Sequence, residues 1–412
     1  MHIVIVNRWP RFSDGVRWDN ELTRYEEFID HDRHRVSYVV DELGAQGVLA
    51  DPAKIASCVR IGDVNDFDAL RGAVAEITEV AGPVDQLVAL SEFTLEIAAR
   101  VREALGIPGP TPDEVAVYRD KVRMKQELIK AGLRAPRFAA CVDPSQVLAF
   151  AEDCGYPVIL KPVDGAASIG VHRVESEAEL AELLPTVDLS RYELEEFIEG
   201  DIYHVDGYIG AGSEVRFQVA SHYVSDCLAF GAGAPLGSVV LQQSPLRERI
   251  EAFTQEYVSA LGMYDTPFHL ELFLTPEDEL VFLEIGGRIG GGEVPHLLNK
   301  LFGVNLYEVW LRSLAGETVP APVKSGDPAG GWLIIPKPAD LPARVVRAEP
   351  LSGRVPTVWR ELLPRVGEVL QPGGAYDALH SGRFILLHED QAQVETDIQH
   401  IIDTFEFEAT SA

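Results

Sequence analysis

In the stretch "HLELFLTPEDELVFLEIGGRIGGGEVP" (residues 269–295), two short alternating apolar runs flank "TPEDE". Each run carries one glutamate, Glu271 and Glu284. Such a pattern reads as an antiparallel hairpin. With Glu277 and Asp278 at the turn, His269 faces Gly286, Glu271 faces Glu284 and Phe273 faces Phe282. The period-2 rule puts these six on one face and turns Leu270, Leu272, Val281 and Leu283 to a core. Like charges directly opposite each other destabilise a sheet. At ~5 Å and an effective dielectric of ~20, two carboxylates repel by about 3 kcal/mol. A divalent cation that takes carboxylate and phosphate oxygens, magnesium above all, would offset that. A solvated face with the two side chains splayed apart is the other way to relieve it.

Other residues fit phosphate chemistry. Lys161 precedes "DGAASIG", a loop of small residues whose backbone N–H groups can close over phosphates while a lysine supplies a point charge. Taken alone, that stretch is equally an ordinary hairpin loop. Lys121 in "RDKVRMK" reads by itself as a solvated helix lysine. "ELEEFIEG" is either an edge strand with its charges outward or a strand offering backbone groups to a purine, one glutamate taking the exocyclic amine. Arg288 stands inside a glycine run. His31 and His34 in "HDRHR" fit a charged turn better than a metal site, and "GAGAPLG" (231–237) fits a flexible loop. HExxH, GxSxG and GxxxxGK[ST] are missing.

The elements that must hold these residues follow from periodicity. Residues 1–114 alternate strands (His2–Val6, Arg35–Val40, Ala56–Ile61, Gln86–Leu90) with helices, which implies a mainly parallel sheet. No GxGxxG follows the first strand, so a dinucleotide is not indicated. "IPGPTPDE" connects to a helix over 115–133. Strand, glycine-rich loop and strand follow in "YPVILKPVDGAASIGVHRV", then antiparallel strands, a long helix from "PLRERIEAF" and the hairpin. The segment 320–412 holds strands "GGWLIIPKP" and "GRFILLHED", a helix from Gln391, and a tail, "EFEATSA", expected to fray. The units expected are 1–114, 115–200, 201–319 and 320–412.

The bulk properties exclude several function classes. The chain has 412 residues, 46% of them hydrophobic, enough for two to four globular domains. Lys+Arg 35 against Asp+Glu 65 gives a net charge of −30, so nucleic acid and anionic membrane are not expected partners. Cys58, Cys141, Cys154 and Cys227 form no CxxC pair and read as reduced, mostly buried thiols of a cytoplasmic protein. "MHIVIV" reads as a first strand, with neither a basic leader nor a signal-length core.

In series, "RDK…MK…L…AGL…P", "PVILKP…GAASIGV", "LEEFIEG" and "HLELFL…LVFLEIGGR" resemble the ATP-grasp superfamily. The resemblance is to its carboxylate–amine ligases of the L-amino acid ligase and biotin-carboxylase-like type, and it covers essentially the whole chain. It implies an α/β chain with the ATP-grasp fold: an N-terminal parallel α/β domain, a two-lobed α+β ATP-binding core and a small C-terminal α/β lobe. It implies ATP with Mg2+ or Mn2+, a carboxylate activated as an acyl phosphate and joined to an amine, and ADP and phosphate as products. By the same resemblance Lys121 and Lys161 approach the phosphates, and Ser168, Ile169 and Gly170 belong to the loop that covers them. Glu195 accepts from the adenine amine, Glu196 and Ile198 offer backbone groups, and His204 contacts the ribose. Glu271 and Glu284 hold metal, and Arg288 steadies the transferring group. Many members carry Asn two residues after the second glutamate; here Gly286 stands there, so water fills that place or one metal is held less tightly.

His269, Glu293 and His296 flank the hairpin as substrate-pocket candidates, with structural support of the neighbouring groups as their alternative role. Substrates are small carboxylates and amines, and a homodimer is common in the family. Three alternatives carry different consequences. A carrier-protein thiol as acceptor asks for a basic patch that a chain of charge −30 does not advertise. Bicarbonate activation asks for a biotin carrier, and no MKM motif is present. A nucleotide-binding regulator would hold ATP without turning it over.

Overall fold

The computed structural model describes residues 1–11, 20–166, 168–225, 227–317, 319, 326–373 and 380–412. Ala167 of the glycine-rich loop and the boundary expected at 320 lie outside them. Strands β1 His2–Asn7, β2 Arg35–Val40, β3 Ile55–Arg60 and β4 Gln86–Ala89 form a parallel sheet in the order β3-β2-β1-β4. Its central strand is buried along its whole length because both faces are covered. Val4, Val6 and Val39 pack under helices Phe67–Ala81 and Glu92–Leu105. Ile3, Ile5 and Tyr38 share a core with Leu270 and Leu272 of the glutamate hairpin. That shared core ties the first sheet to the hairpin's back.

The helix expected over 115–133 is two helices, Pro112–Ala116 and Lys121–Lys130. Thr111 and Glu114 make a capping box for the first. The Asp120 carboxylate accepts from the N–H groups of Val122 and Arg123 and starts the second. The new start makes Lys121 the first helical residue, and it is only 7% exposed. The solvated face expected for it does not exist.

A small antiparallel sheet follows, from β5 Phe138–Ala140, β6 Val158–Pro162, β7 His172–Val174 and β8 Tyr192–Glu196, in the order β5-β8-β6-β7. The next strands are β9 Asp201–Ile209, β10 Val215–Ser225, β11 Leu236–Val240, β12 Thr266–Leu274 and β13 Leu280–Gly286. After them come β14 Ala329–Ile335, β15 Ala343–Ala348, β16 Val358–Leu362, β17 Val369–Leu370, β18 Gly382–His388 and β19 Phe407–Ser411. An eight-stranded sheet runs β13-β12-β9-β10-β11-β14-β18-β16, so strands from both sides of residue 320 share one sheet. The short helix Cys227–Gly231 and β11 take the two ends of the stretch 231–237, and 232–235 between them form a loop as expected. The tail does not fray at 407–411: β19 pairs antiparallel with β15. Cys58 is exposed and Cys154 half-buried; only Cys141 of these three is buried, so the thiols are less shielded than expected. Among the described residues no helix is long and apolar enough to cross a membrane.

The hairpin register matches expectation for half its length. His269 pairs with Gly286 and Glu271 with Glu284, but a bulge then pairs Leu272 with Phe282 and Phe273 with Val281. The loop is also longer than two residues: Thr275 N–H donates to Glu279 C=O, and Asp278 takes φ +66°. The bulge shifts the strand by one residue, so Phe282 turns into the core, fully buried, and Leu283 turns out to line a cavity beside Glu284. Period-2 reasoning therefore misplaces these two residues.

Candidate active site

A cavity of about 560 Å³ opens between the four-stranded sheet and the glutamate hairpin. Lys121 and Lys161 line it, as do Glu271 and Glu284 from the opposite side. Ser168 and Ile169 from the glycine-rich loop, and Glu195, Glu196 and Ile198 from the end of β8, complete the group of sequence candidates that meet there. Gly170 does not line it but turns the loop. Its φ is +74°, and a Cβ there would stand 2.8 Å from the Tyr192 hydroxyl oxygen. Ile169 is 71% exposed, an apolar side chain held out at the loop's tip.

The lysines are already engaged by carboxylates. Lys121 Nζ lies 3.0 Å from Glu284 Oε2 and donates to the Gly165 carbonyl at 2.7 Å. Burial alone would raise the Glu284 pKa; the ammonium groups of Lys121 and Lys161 override it and hold it near about 2. Lys161 Nζ lies 2.5 Å from Glu195 Oε1. Lys125, one turn after Lys121, donates to Glu193 Oε1 at 2.6 Å and Glu195 Oε2 at 2.5 Å. Both Glu195 oxygens are thus taken by lysines, and as it stands its side chain has no oxygen left for an adenine amine. Burial raises the Glu193 pKa and would raise that of Glu195, but the ammonium groups of Lys125 and Lys161 pull Glu195 below its ordinary value. Lys161 moves up, because those two carboxylates outweigh its burial. The Glu196 carboxylate turns away to Arg134, at 2.7 Å. Its N–H donates to Arg137 C=O.

Glu271 is fixed from below. Tyr223 Oη donates to Glu271 Oε1 at 2.8 Å, and His269 Nε2 lies 3.4 Å from the same oxygen. Behind it His269 Nδ1 meets Asp206 Oδ1 at 2.9 Å, His204 Nδ1 meets Asp206 Oδ2 at 2.7 Å, and His204 Nε2 meets Ser238 Oγ at 2.9 Å. The register explains the row: His204 pairs with Glu271 and Asp206 with His269 across β9 and β12. The ring nitrogens and the Asp206 carboxylate are spent on one another. The cluster His204–Asp206–His269, which has metal-ligand spacing, is therefore a hydrogen-bonded support for Glu271. Burial would lower the His269 pKa, but the Asp206 carboxylate raises it to about 9. His204, expected at a ribose, is 1% exposed beneath this face and does not reach the cavity.

A second, small pocket of about 60 Å³ adjoins the first. It shares Ser168, Tyr223, Glu271 and Glu284 with it and adds His269 and Arg288. Arg288 Nε donates to Glu92 Oε2 at 2.6 Å, and Glu92 also holds Arg119, whose Nη2 donates to Asp164 C=O at 2.7 Å. The two arginines hold the Glu92 carboxyl below its ordinary value against the upward pull of burial. Glu92 opens the helix Glu92–Leu105, so the parallel-sheet domain reaches the site through it. This position was not singled out from sequence; the pairing spans 196 residues and leaves no local signal. A Cβ at Gly286 would stand 3.2 Å from Arg288 Cγ and 3.6 Å from Glu92 Oε1. The Arg288–Glu92 pair thus occupies the space beside that position. Of the other pocket candidates, Glu293 is fully buried in an ion pair with Arg383, and His296 is 9% exposed; neither lines the pocket.

The site's donor chemistry suits a hard cation. Glu271 and Glu284 each use one oxygen, and among the described residues Glu271 Oε2 and Glu284 Oε1 carry no partner. Two free carboxylate oxygens facing a cavity with lysines opposite suit magnesium and a polyphosphate.

Comparison with known proteins agrees with this geometry. Residues 154–296 match the ATP-grasp domain family. The L-arginine-specific L-amino acid ligase of Bacillus subtilis is 28% identical over 257 residues, 60% of this chain and 62% of that one. An alanine–anticapsin ligase of Bacillus subtilis is 27% identical over 58% of this chain and 56% of its own length. The chain therefore aligns with less than two thirds of either relative. Among solved structures, an L-amino acid ligase from Bacillus licheniformis superposes with a TM-score of 0.74 over 98% of both chains at 20% identity, a likeness of fold. The chain thus matches the ATP-grasp domain family by sequence over residues 154–296 and shares the fold of an L-amino acid ligase along its length.

Proposed function

We propose that the protein is an ATP-dependent carboxylate–amine ligase acting on an amino acid. The observation that carries this reading is the meeting of two lysines, two glutamates with a free oxygen each, and a large cavity that adjoins a small pocket holding Arg288. ATP would lie in the large cavity, with its phosphates toward Lys121 and Lys161 and its purine along the backbone at Glu196–Ile198, where the chain leaves the sheet. Glu271 and Glu284 would hold magnesium, which supplies charge neutralisation across the phosphates.

The chain's own residues do the rest. Lys121 exchanges its carboxylate partner for phosphate oxygens as ATP enters, while Lys161 keeps Glu195 and turns a remaining N–H to the phosphates. The Ser168–Gly170 loop closes over them and excludes water. A carboxylate oxygen of the amino acid attacks the γ-phosphorus, the bond to the β–γ bridging oxygen breaks, and ADP leaves. Arg288, held in place by Glu92, steadies the charge on the transferring group. An amine then attacks the acyl carbon, phosphate departs, and the nitrogen releases a proton. The two relatives are named for arginine and for alanine with anticapsin, so the superfamily alone assigns no side chain to the substrate. Incubation with magnesium, ATP and hydroxylamine across single amino acids tests the reading. ADP with a hydroxamate is expected; AMP with pyrophosphate would overturn it.

A further inference from the structure

The parallel sheet near the N-terminus runs in the order β3-β2-β1-β4. The chain leaves β1 for β2 and β3, then returns to pair β4 on the other side of β1. In such a sheet, ligands bind in the crevice outside the carboxyl ends of the two strands where the order reverses. Here Arg8 follows β1, and Ser91, Glu92 and Phe93 follow β4. Arg8 spans the crevice, its guanidinium carbon 5.0 Å from the centre of the Phe93 ring. It is half-buried, yet among the described residues it makes no hydrogen bond and no ion pair. In a chain of 65 acidic and 35 basic side chains, carboxylate partners are plentiful. The nearby Arg119 and Arg288 share one, Glu92. Arg8 is left without one, although its backbone is held firmly. Asn7 Nδ2 donates to Trp9 C=O at 2.9 Å and to Gly44 C=O at 2.7 Å, and Tyr25 Oη donates to Asn7 Oδ1 at 3.0 Å. A Cβ at Gly44 would stand 1.9 Å from the Asn7 carbonyl oxygen and 3.0 Å from Arg8 Cα, so the Gly44 turn packs directly on this backbone. Phe93 is 54% exposed, which opens the crevice to a ligand. The neighbouring Glu92 holds Arg288, which lines the small pocket with Glu271 and Glu284.

We propose that Arg8 binds the α-carboxylate of the amine substrate, so that the acceptor is a second α-amino acid held at the carboxyl end of β1. The guanidinium fork pairs two N–H donors with the carboxylate, and the amine end of the same small molecule points to the acyl phosphate beside Arg288. The proposal rests on the ligase reading above, and its test separates the two. Wild type, Arg8→Lys and Arg8→Met receive ATP, magnesium and the donor amino acid identified by the hydroxamate assay. The acceptors are L-alanine, L-leucine and the amides of both, which lack the carboxylate charge. The quantity read is kcat/KM for each free amino acid divided by that for its amide. Wild type should give a ratio of about tenfold or more. Arg8→Met should bring it to within about threefold of one, through a higher KM for the free amino acid, and Arg8→Lys should retain part of the preference. Hydroxylamine, an acceptor with no carboxylate, reports whether each variant activates the donor. Loss of hydroxamate in both variants assigns Arg8 to the fold or to donor activation and overturns the proposal. Wild type that takes the amides as readily as the free amino acids, or Arg8→Met with the wild-type ratio, also overturns it and leaves the ligase reading standing. A wild type that forms no hydroxamate with any amino acid overturns the ligase reading, and the proposal with it.

Discussion

Lys121 and Lys125 sit one turn apart on the same helix face and both pair with glutamate, yet their surroundings differ. Lys121 meets Glu284 at the cavity wall, where the Glu284 side chain is 28% exposed. Lys125 meets Glu193 and Glu195 in a sealed cluster, with all three side chains at most 4% exposed. An ion pair at a cavity wall can be exchanged when a ligand brings its own charge. A sealed one cannot, since removing one partner strands the others. On the function proposed above, the first pair is a place-holder for phosphate and metal, and the second is a fixed anchor. Lys161 stands between them: it shares Glu195 with Lys125 and faces the cavity with Lys121.

Substitutions that separate place-holder from anchor test this difference. Glu284→Gln should lower ATP turnover by about 10³-fold or more while leaving the melting temperature unchanged, since it removes charge from the cavity wall alone. Steady-state kinetics beside thermal melting checks both halves, and full activity in the variant would sink the metal assignment. Lys125→Met should destabilise the fold by about 3–5 kcal/mol in urea titration, because two buried carboxylates lose their shared cation. Lys121→Met should do the reverse, raising KM for ATP by about tenfold to a hundredfold with little change in stability; nucleotide binding alone measures it. Equal stability losses in the two lysine variants would erase the distinction. The smallest effect expected is from Glu92→Gln. It should reduce kcat by about tenfold with KM for ATP intact, as Arg288 loses its positioning partner, and Glu92→Asp should restore part of the loss.

Much of this was legible in the sequence because it is written locally. The parallel strands of residues 1–114, the hairpin, the Lys161 loop and the facing of Glu271 on Glu284 each follow from periodicity or turn chemistry within a short window. Other features depend on what the chain meets after folding. The Asp120 cap that splits the helix was present as an Asx signal, but the apolar period on either side of it outweighed it. The bulge that sends Phe282 inward has no mark in an alternating run. Lys125 and Glu92 are ordinary residues of a helix and a helix start. Their roles come from partners across sheets, as do those of His204 and Asp206, which register alone brings beneath Glu271. The tail Phe407–Ser411 looked like a free end because its partner strand, Ala343–Ala348, lies far away in sequence.

The central claim is that a substrate carboxylate takes the γ-phosphoryl group at the Glu271–Glu284–Arg288 site. Its most direct test is to supply the accepted amino acid with both carboxylate oxygens labelled as oxygen-18 and to analyse the products by mass spectrometry. One labelled oxygen in each inorganic phosphate released, with unlabelled ADP, is the predicted result. Unlabelled phosphate, or label carried into AMP, would contradict it.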